Sequence, residues 1–376
     1  MYKYNKIPDT IGIKNLIKYK NQHRNINIDE AIKNFFIKQF DYSDFFITAS
    51  GRHSLQVALS FADNTKEEVI TPAFGCSIIP LVIRKAGKKP VFVDINKDTF
   101  SLNVEQVKSK ISDKTCAVIV VHEFGNPVRK DDILEIRRSF RGLLIEDAAI
   151  SAFTRYDDDT LIGKESDFTI FSGSIGKPLS SYKWGGLGIN NDKKISLSFQ
   201  KKRRDLDSYF ALLMYNIIKN NFIYSFSRPF INYLVNSDSN NVNLIYDYPS
   251  DLDNRVIYST ALNQIVKRKF NFELYSVLLN ENINTIKYTT SNPTLSRIPF
   301  YVNNSSELVY AINKFKNFGI EVSRPYSDKL FNEGKYPNSE NALNKLLCFT
   351  VKNKVDNYII KNFSNTIMEL KNNNIL

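Results

Sequence analysis

The strongest constraint on this chain is a series of short apolar runs, each ended by a turn residue or an acid and separated by amphipathic stretches. The runs lie at 68–72, 90–94, 117–121, 142–146 and 168–171. Each has the length of a strand and little alternation of apolar with polar residues, as expected of strands buried on both faces. Helical patterns fill the gaps at 78–85, 104–111 and 130–140, and two more precede the series. One opens at Asn27 with Asp29 and Glu30 in its first turn and runs through Phe40; the other follows Ser50-Gly51 and runs to about Phe61. Strands alternating with helices give an α/β fold with a mostly parallel sheet flanked by helices.

Ligands of such sheets bind outside the carboxyl ends of the strands. That rule selects the residues just past each run: 72–76, 122–125, 147–150 and 172–177.

Past residue 196 the character changes. Lys201, Lys202, Arg203 and Arg204 form a basic cluster, followed by aromatic and aliphatic residues at 209–218 and 222–235. The stretch 236–243 is rich in Asn and Ser and reads as a loop. A long helix is expected over 254–281, then helices at 305–318 and 356–372 with strands at 297–302 and 346–351. The expected organisation is a large domain over 1–245, carrying a basic and aromatic helical insert at about 200–235, and a smaller α+β domain over 246–376. A chain of 376 residues is too long for one comfortable core, which agrees with two domains.

Composition removes several functional classes. Apolar residues make up 43% of the chain, which argues against disorder. No run of about 18 apolar residues is present, so no membrane-spanning helix is expected. The opening residues lack the apolar core of a secretory signal. Cys76, Cys116 and Cys348 have no paired spacing, and His23, His53 and His122 do not cluster with them. Neither disulfides nor a metal site is expected, and a reducing cytoplasm is the natural compartment. The formal charge of +12 raises a nucleic-acid reading, but Lys and Asn are spread along the whole chain. A compositional bias explains it better, leaving a general attraction for phosphorylated substrates. Residues 201–235 could also form a membrane-surface element; a dimer or domain contact is the preferred reading.

Four places at the strand ends carry chemistry. Lys177 sits among small residues past the run 168–171, with Gly173 and Gly176 beside it. A lysine that forms a Schiff base needs such a fixed, partly desolvated setting, although alone it is one lysine among many. Asp147 ends the run 142–146 and is followed by Ala148-Ala149. It suits a carboxylate facing a protonated ring nitrogen, and equally a helix N-cap. Ser50-Gly51-Arg52 opens a helix, whose free N–H groups and dipole favour an anion, with Arg52 able to add a fork. Ser172 is a second candidate contact for a phosphate.

In order, these pieces resemble the DegT/StrS family of sugar aminotransferases. The resemblance rests on Ser50-Gly-Arg-His-Ser-Leu55, Pro72-Ala-Phe74, Lys89-Pro-Val-Phe-Val-Asp94, Val121-His-Glu-Phe-Gly-Asn-Pro127, Ile145-Glu-Asp-Ala-Ala149, Phe171-Ser172 with Lys177 five residues beyond that serine, and Gly185-Gly186. It covers roughly residues 30–190. It implies pyridoxal phosphate (PLP) fold type I, with Lys177 as Schiff-base lysine and Asp147 at the pyridine nitrogen. Ser172, Gly51 and Arg52 would hold the phosphate, and Phe74 would lie at the cofactor. It also implies a homodimer with a shared active site, glutamate as amine donor and a nucleotide-linked keto-sugar as acceptor. A different substrate on the same fold, or a non-catalytic member, are the alternatives. The sequence departs from the pattern at Ile150, where Gln or His is usual, at Cys76, where an aromatic is usual, and at Arg52. The segment by which a partner subunit reaches the phosphate is at best Asp253-Asn254-Arg255.

Overall fold

The computed structural model describes residues 12–191, 201–226, 247–266, 273–291, 293, 297–326, 328–351 and 357–376. The polar loop expected at 236–243 and the middle of the helix expected over 254–281 lie outside these residues.

The large unit is a seven-stranded sheet. Its strands are β1 (Asp44–Thr48), β2 (Glu68–Pro72), β3 (Lys89–Val93), β4 (Thr115–Val121), β5 (Leu143–Asp147), β6 (Phe168–Ser172) and β7 (Gly185–Ile189). The order is β1-β7-β6-β5-β4-β2-β3. The pairs from β3 through β6 are parallel, and β7 runs antiparallel to both β6 and β1. The centre of the sheet shows why the apolar runs are continuous. Ala117, Ile119 and Val121 of β4 pack on one face with Leu55, Ile79 and Val82. Val118 and Val120 pack on the other with Val107, Ile133 and Ile136. Each strand therefore serves two cores with successive residues.

Helix α2 (Ile28–Phe40) covers the β1 side, while Leu16 and Tyr19 of helix α1 (Ile13–Asn21) pack with Leu212, Leu252 and Val256. The start of α2 is set by Asn27, whose side chain accepts from the Glu30 N–H at 3.3 Å. Phe36 and Phe40 of α2 join Phe45, Phe171 and Trp184 in an aromatic core. Strands β1 and β7 gave no sequence signal. In β7 the reason is its glycines: a Cβ on Gly185, Gly186 or Gly188 would lie 2.3 to 2.4 Å from Ser50, Phe45 or Tyr42. The strand is recognised by what packs onto it rather than by its own side chains.

The helix Asp251–Val266 follows the expected division at 245/246, yet its buried Leu252, Val256, Ile257 and Ala261 pack on the large unit. The smaller sheet comes later: β8 (Arg297–Tyr301), β9 (Val322–Ser323) and β10 (Leu346–Thr350), in the antiparallel order β8-β10-β9.

Two polar clamps join this unit to the large sheet. Asp94, just past β3, is buried and accepts from the N–H groups of Asn338 and Ser339 at 3.0 and 2.8 Å and from the Ser339 hydroxyl at 2.7 Å. It thus caps the helix Pro337–Lys345 across more than 240 residues of sequence. Asn126 donates to the carbonyls of Thr99 and Lys287 and accepts from Thr289 N–H. The acid of the 89–94 segment therefore fixes the small unit in place. Asp94→Ala leaves two buried N–H groups without an acceptor. It is expected to cost on the order of 2 kcal/mol, read as a lowered thermal midpoint, with Asp94→Asn retaining part of the loss.

Candidate active site

The parallel register brings the strand ends together. Val121 pairs with Asp147, and Asp147 with Ile170, so the segments after β4, β5 and β6 leave the sheet side by side. Ser172 and Thr48 both pair with Gly185, which places the turn into helix α3 (Gly51–Leu59) beside the end of β6.

His122 fixes this edge. Its ring is buried, its Nδ1 accepts from the Val128 N–H at 3.0 Å, and its Nε2 lies 3.0 Å from Glu146 Oε2. With Nδ1 accepting, Nε2 carries the hydrogen and donates to the carboxylate. Glu146 accepts also from the Gly163 N–H at 3.0 Å. The carbonyl of His122 takes the Ser151 hydroxyl at 2.5 Å, and its N–H donates to the Asp147 carbonyl at 3.2 Å.

Asp147 is half-buried at the end of β5, and its Oδ1 accepts from the Ala149 N–H at 2.9 Å. Loss of hydration raises its carboxyl above the ordinary value, while that hydrogen bond and the Lys177 charge pull it back. A cation placed against it would complete that compensation.

Lys177 is half-buried in the loop that follows β6. Gly176 has φ +87°, a left-handed conformation that suits glycine, and the Lys177 N–H donates to the Ser174 carbonyl at 3.1 Å. The far end of the loop is tied to buried Asp253, which accepts from the Ser181 hydroxyl and from the Tyr182 N–H at 3.1 Å. Asp253 also takes the hydroxyls of Ser208 and Ser250 at 2.6 and 2.8 Å. The Asp253-Asn254-Arg255 segment thus anchors the lysine loop of its own chain. Arg255 lies 3.8 Å from Asp205, and the Asn254 amide donates to Asp29 at 2.6 Å.

At the neighbouring corner, a Cβ on Gly51 would lie 3.0 Å from Ser172 Cβ and 3.4 Å from its Oγ. The glycine lets the amino end of α3 and the Ser172 hydroxyl approach one another. Ser172 Oγ lies 3.3 Å from Ser174 Oγ, and Ser50 caps the helix, accepting from the His53 N–H at 3.4 Å. This is an anion cradle of helix N–H groups and hydroxyls. Arg52 is half-buried on the first turn of α3.

Phe74 stands apart from this group. It is 1% exposed and packs with Phe100, Phe124 and Tyr326 in the core shared with the small unit. Cys76, two residues on, is exposed, and the charges of Lys177, Asp147 and Glu123 all act on its thiol. Ile150 is half-buried. Sequence reasoning missed two residues. Glu123 follows His122 and is 2% exposed; its Oε2 accepts from the Tyr326 hydroxyl at 2.9 Å. Its position at a strand end was a usable signal, whereas nothing marked Tyr326, which comes from the small unit. Burial pushes Glu123 up to about 7. The Tyr326 hydrogen bond lowers it, Asp147 raises it, and Lys177 and Arg297 lower it.

A separate cleft of about 520 Å³, lined by Ser112, Cys116, Arg141 and Asp167 among others, opens near the amino ends of β4 and β5. It is at the opposite edge of the sheet from Lys177. The basic cluster is largely paired within the chain. Lys202 meets Asp251 at 2.6 Å, Arg204 meets Asp207 at 2.8 Å, and Arg203 donates to the Lys183 carbonyl at 2.8 Å. The helix Asp205–Ile218 beyond it exposes Leu206, Phe210 and Met214. No helix among the described residues is long and apolar enough to cross a membrane.

An amine loop, a desolvated carboxylate and an anion cradle on one edge of a sheet with one reversed strand define the PLP fold type I class. The residues fit that cofactor: loss of hydration raises the Asp147 carboxyl, so a pyridinium against it would favour its charged form, and the Gly51–Ser172 corner leaves the close approach a phosphate needs. The model of the DegT/DnrJ/EryC1/StrS aminotransferase family matches residues 35–204 of the chain. An uncharacterized protein of Methanocaldococcus jannaschii is 35% identical over 170 residues, 45% of this chain and 43% of that one. GDP-perosamine synthase of Escherichia coli O157:H7 is 28% identical over 170 residues, 45% of this chain and 46% of that one. The match thus spans less than half the length of these curated relatives. Over the whole fold, a Streptococcus pneumoniae structure assigned as a sugar aminotransferase aligns with a TM-score of 0.73 at 16% identity, covering 99% of both chains.

The Glu123 carboxyl gives a stability test. Between its ordinary value of 4.5 and about 7, the unfolded chain releases this proton while the folded chain keeps it. Folding stability therefore falls as pH rises through that window. Glu123→Gln has no such proton, so its unfolding free energy should rise relative to the parent by on the order of 3 kcal/mol between pH 4.5 and 7, measured by denaturant titration at each pH.

Proposed function

We propose that this protein is a PLP-dependent aminotransferase that moves an amino group from glutamate to a nucleotide-linked keto-sugar, for use in amino-sugar or surface-polysaccharide synthesis. The observation that carries the reading is the convergence of Lys177, Asp147 and the Gly51–Ser172 corner on one sheet edge. The match of residues 35–204 to the sugar-aminotransferase family model and the likeness to GDP-perosamine synthase support the substrate class.

Lys177 Nζ would hold the cofactor and, once released, carry a proton to and from the reacting carbon. When bound there, PLP withdraws electrons from that carbon. Asp147 would keep a proton on the ring nitrogen, its charge sustained in a poorly hydrated place by that contact. The first N–H groups of α3 and the Ser172 hydroxyl would bind the phosphate, with Arg52 adding charge from the first turn. Asp253 would keep the lysine loop in register through Ser181 and Tyr182. The chain would act as a homodimer in the cytoplasm, and the exposed apolar side chains of Asp205–Ile218 favour a subunit contact over a membrane one, because the basic residues beside them are already paired. Retention of Lys177 favours a catalytic role over the non-catalytic alternative.

Adding PLP to the protein should produce a visible band at roughly 400–430 nm. Lys177→Ala should abolish the band, and L-glutamate should bleach it in the parent. A protein that stays colourless with PLP, or a band unchanged in Lys177→Ala, sinks the reading.

A further inference from the structure

Glu123 is not absorbed by this mechanism. It is a buried carboxyl two residues past Val121, whose strand position pairs with Asp147, and the charges of Asp147 and Lys177 both act on it. Its side chain is fixed: Tyr326, from the small unit, donates to Oε2 at 2.9 Å. Room for Oε1 comes from Gly75, where a Cβ would lie 3.0 Å from that oxygen and where φ is +150°. The charged and titratable groups around it are Asp147 from β5, Lys177 from the loop after β6, Cys76 from the turn after β2, Arg297 from β8, and Tyr326. A purely structural tie to Tyr326 would be served by Gln; an acid beside a lysine and a second carboxylate can also change charge.

We propose that Glu123, anchored by Tyr326, is a second acid–base residue of the Lys177–Asp147 centre, holding a proton for a substrate oxygen. The inference rests on the amine-transfer reading. There the acceptor's carbonyl oxygen leaves as water, and a neutral carboxyl is the group able to donate to it and then take back the proton that the incoming amine loses. Burial keeps this carboxyl protonated up to about pH 7, so it can donate where an ordinary glutamate is already ionised.

Cys76 is a native reporter for the charge. The residue is exposed, whereas Cys116 and Cys348 are buried; loss of hydration at its sulfur raises the thiol first, Lys177 lowers it, and negative Asp147 and Glu123 raise it further. The experiment follows alkylation of Cys76 by iodoacetamide in the full-length chain, using mass spectrometry across a pH series. The parent and Glu123→Gln should react alike at about pH 5.5. Above about pH 8 the variant should react measurably faster, because the thiolate no longer experiences an ionised Glu123. Tyr326→Phe removes a hydrogen bond that favours the ionised carboxyl, so its departure from the Glu123→Gln profile should begin at higher pH than in the parent. Identical profiles in all three proteins overturn the proposal. In PLP-loaded protein first bleached with glutamate and freed of it, the rate at which the keto acceptor 2-oxoglutarate restores the visible band should show a pH step near 7 in the parent and lose it in Glu123→Gln. If Cys76 reports the charge but that step is unchanged, Glu123 is only structural and the acid–base role fails. The alkylation needs no cofactor, so a failure of PLP to colour the protein overturns the cofactor reading separately.

Discussion

The site depends on the lock that His122 makes at the end of β4. A parallel sheet delivers strand ends to one edge, but it does not fix the segments that leave it. His122 does so by bonding to four places at once: Val128 and Glu146 through its ring, Ser151 and Asp147 through its backbone. Glu146 points to the opposite side of β5 from Asp147, as successive strand residues must. The same dipeptide therefore places one carboxylate in the lock and the other at the centre. Exchanging the two by a one-residue slip would bury the wrong acid, which ties the position of Asp147 to the hydrophobic register of β5.

What could be read from the sequence follows from how local each signal is. The five parallel strands and the helices between them were legible because continuous apolar runs and caps such as Asn27 are short-range features. Strands β1 and β7 were not legible. The glycines of β7 are explained by Ser50, Phe45 and Tyr42, which reach it from elsewhere in the chain. At the site, the strand-end rule found Asp147, Ser172 and Lys177, and their shared edge follows from register. Phe74 shows the limit of a motif. Its place in the sequence suggested a partner for a flat ligand, yet its ring lies in the core with Phe100 and Phe124, and the residue presented outward from that turn is Cys76. Tyr326 could not have been found, because only the tertiary fold brings β9's neighbourhood to the end of β4.

The two units are joined by polar contacts as well as by the shared apolar core, and this bears on how the site is held. Asp94 and Asn126 lie past β3 and β4, on the same edge as Asp147, and both bond to backbone groups of the small unit. Such bonds are directional, whereas apolar packing alone would tolerate sliding. Tyr326 is therefore brought to Glu123 at a defined angle and distance. A change at Asp94 should then be felt at Glu123 through the orientation of the small unit, although the two acids share no contact in the structure.

The basic cluster at 201–204 bears on the same site. Lys202, Arg203 and Arg204 stand together in the sequence, but their partners are Asp251, Lys183's carbonyl and Asp207 within the same unit. Arg203 also lies 3.5 Å from Asp253, the carboxylate that anchors the lysine loop. Arg203 thus supports the loop from behind. Neutralising Arg203 removes the cation nearest a buried carboxylate and should loosen the Ser181–Tyr182 anchor, an effect that reaches Lys177 through the backbone of its own loop.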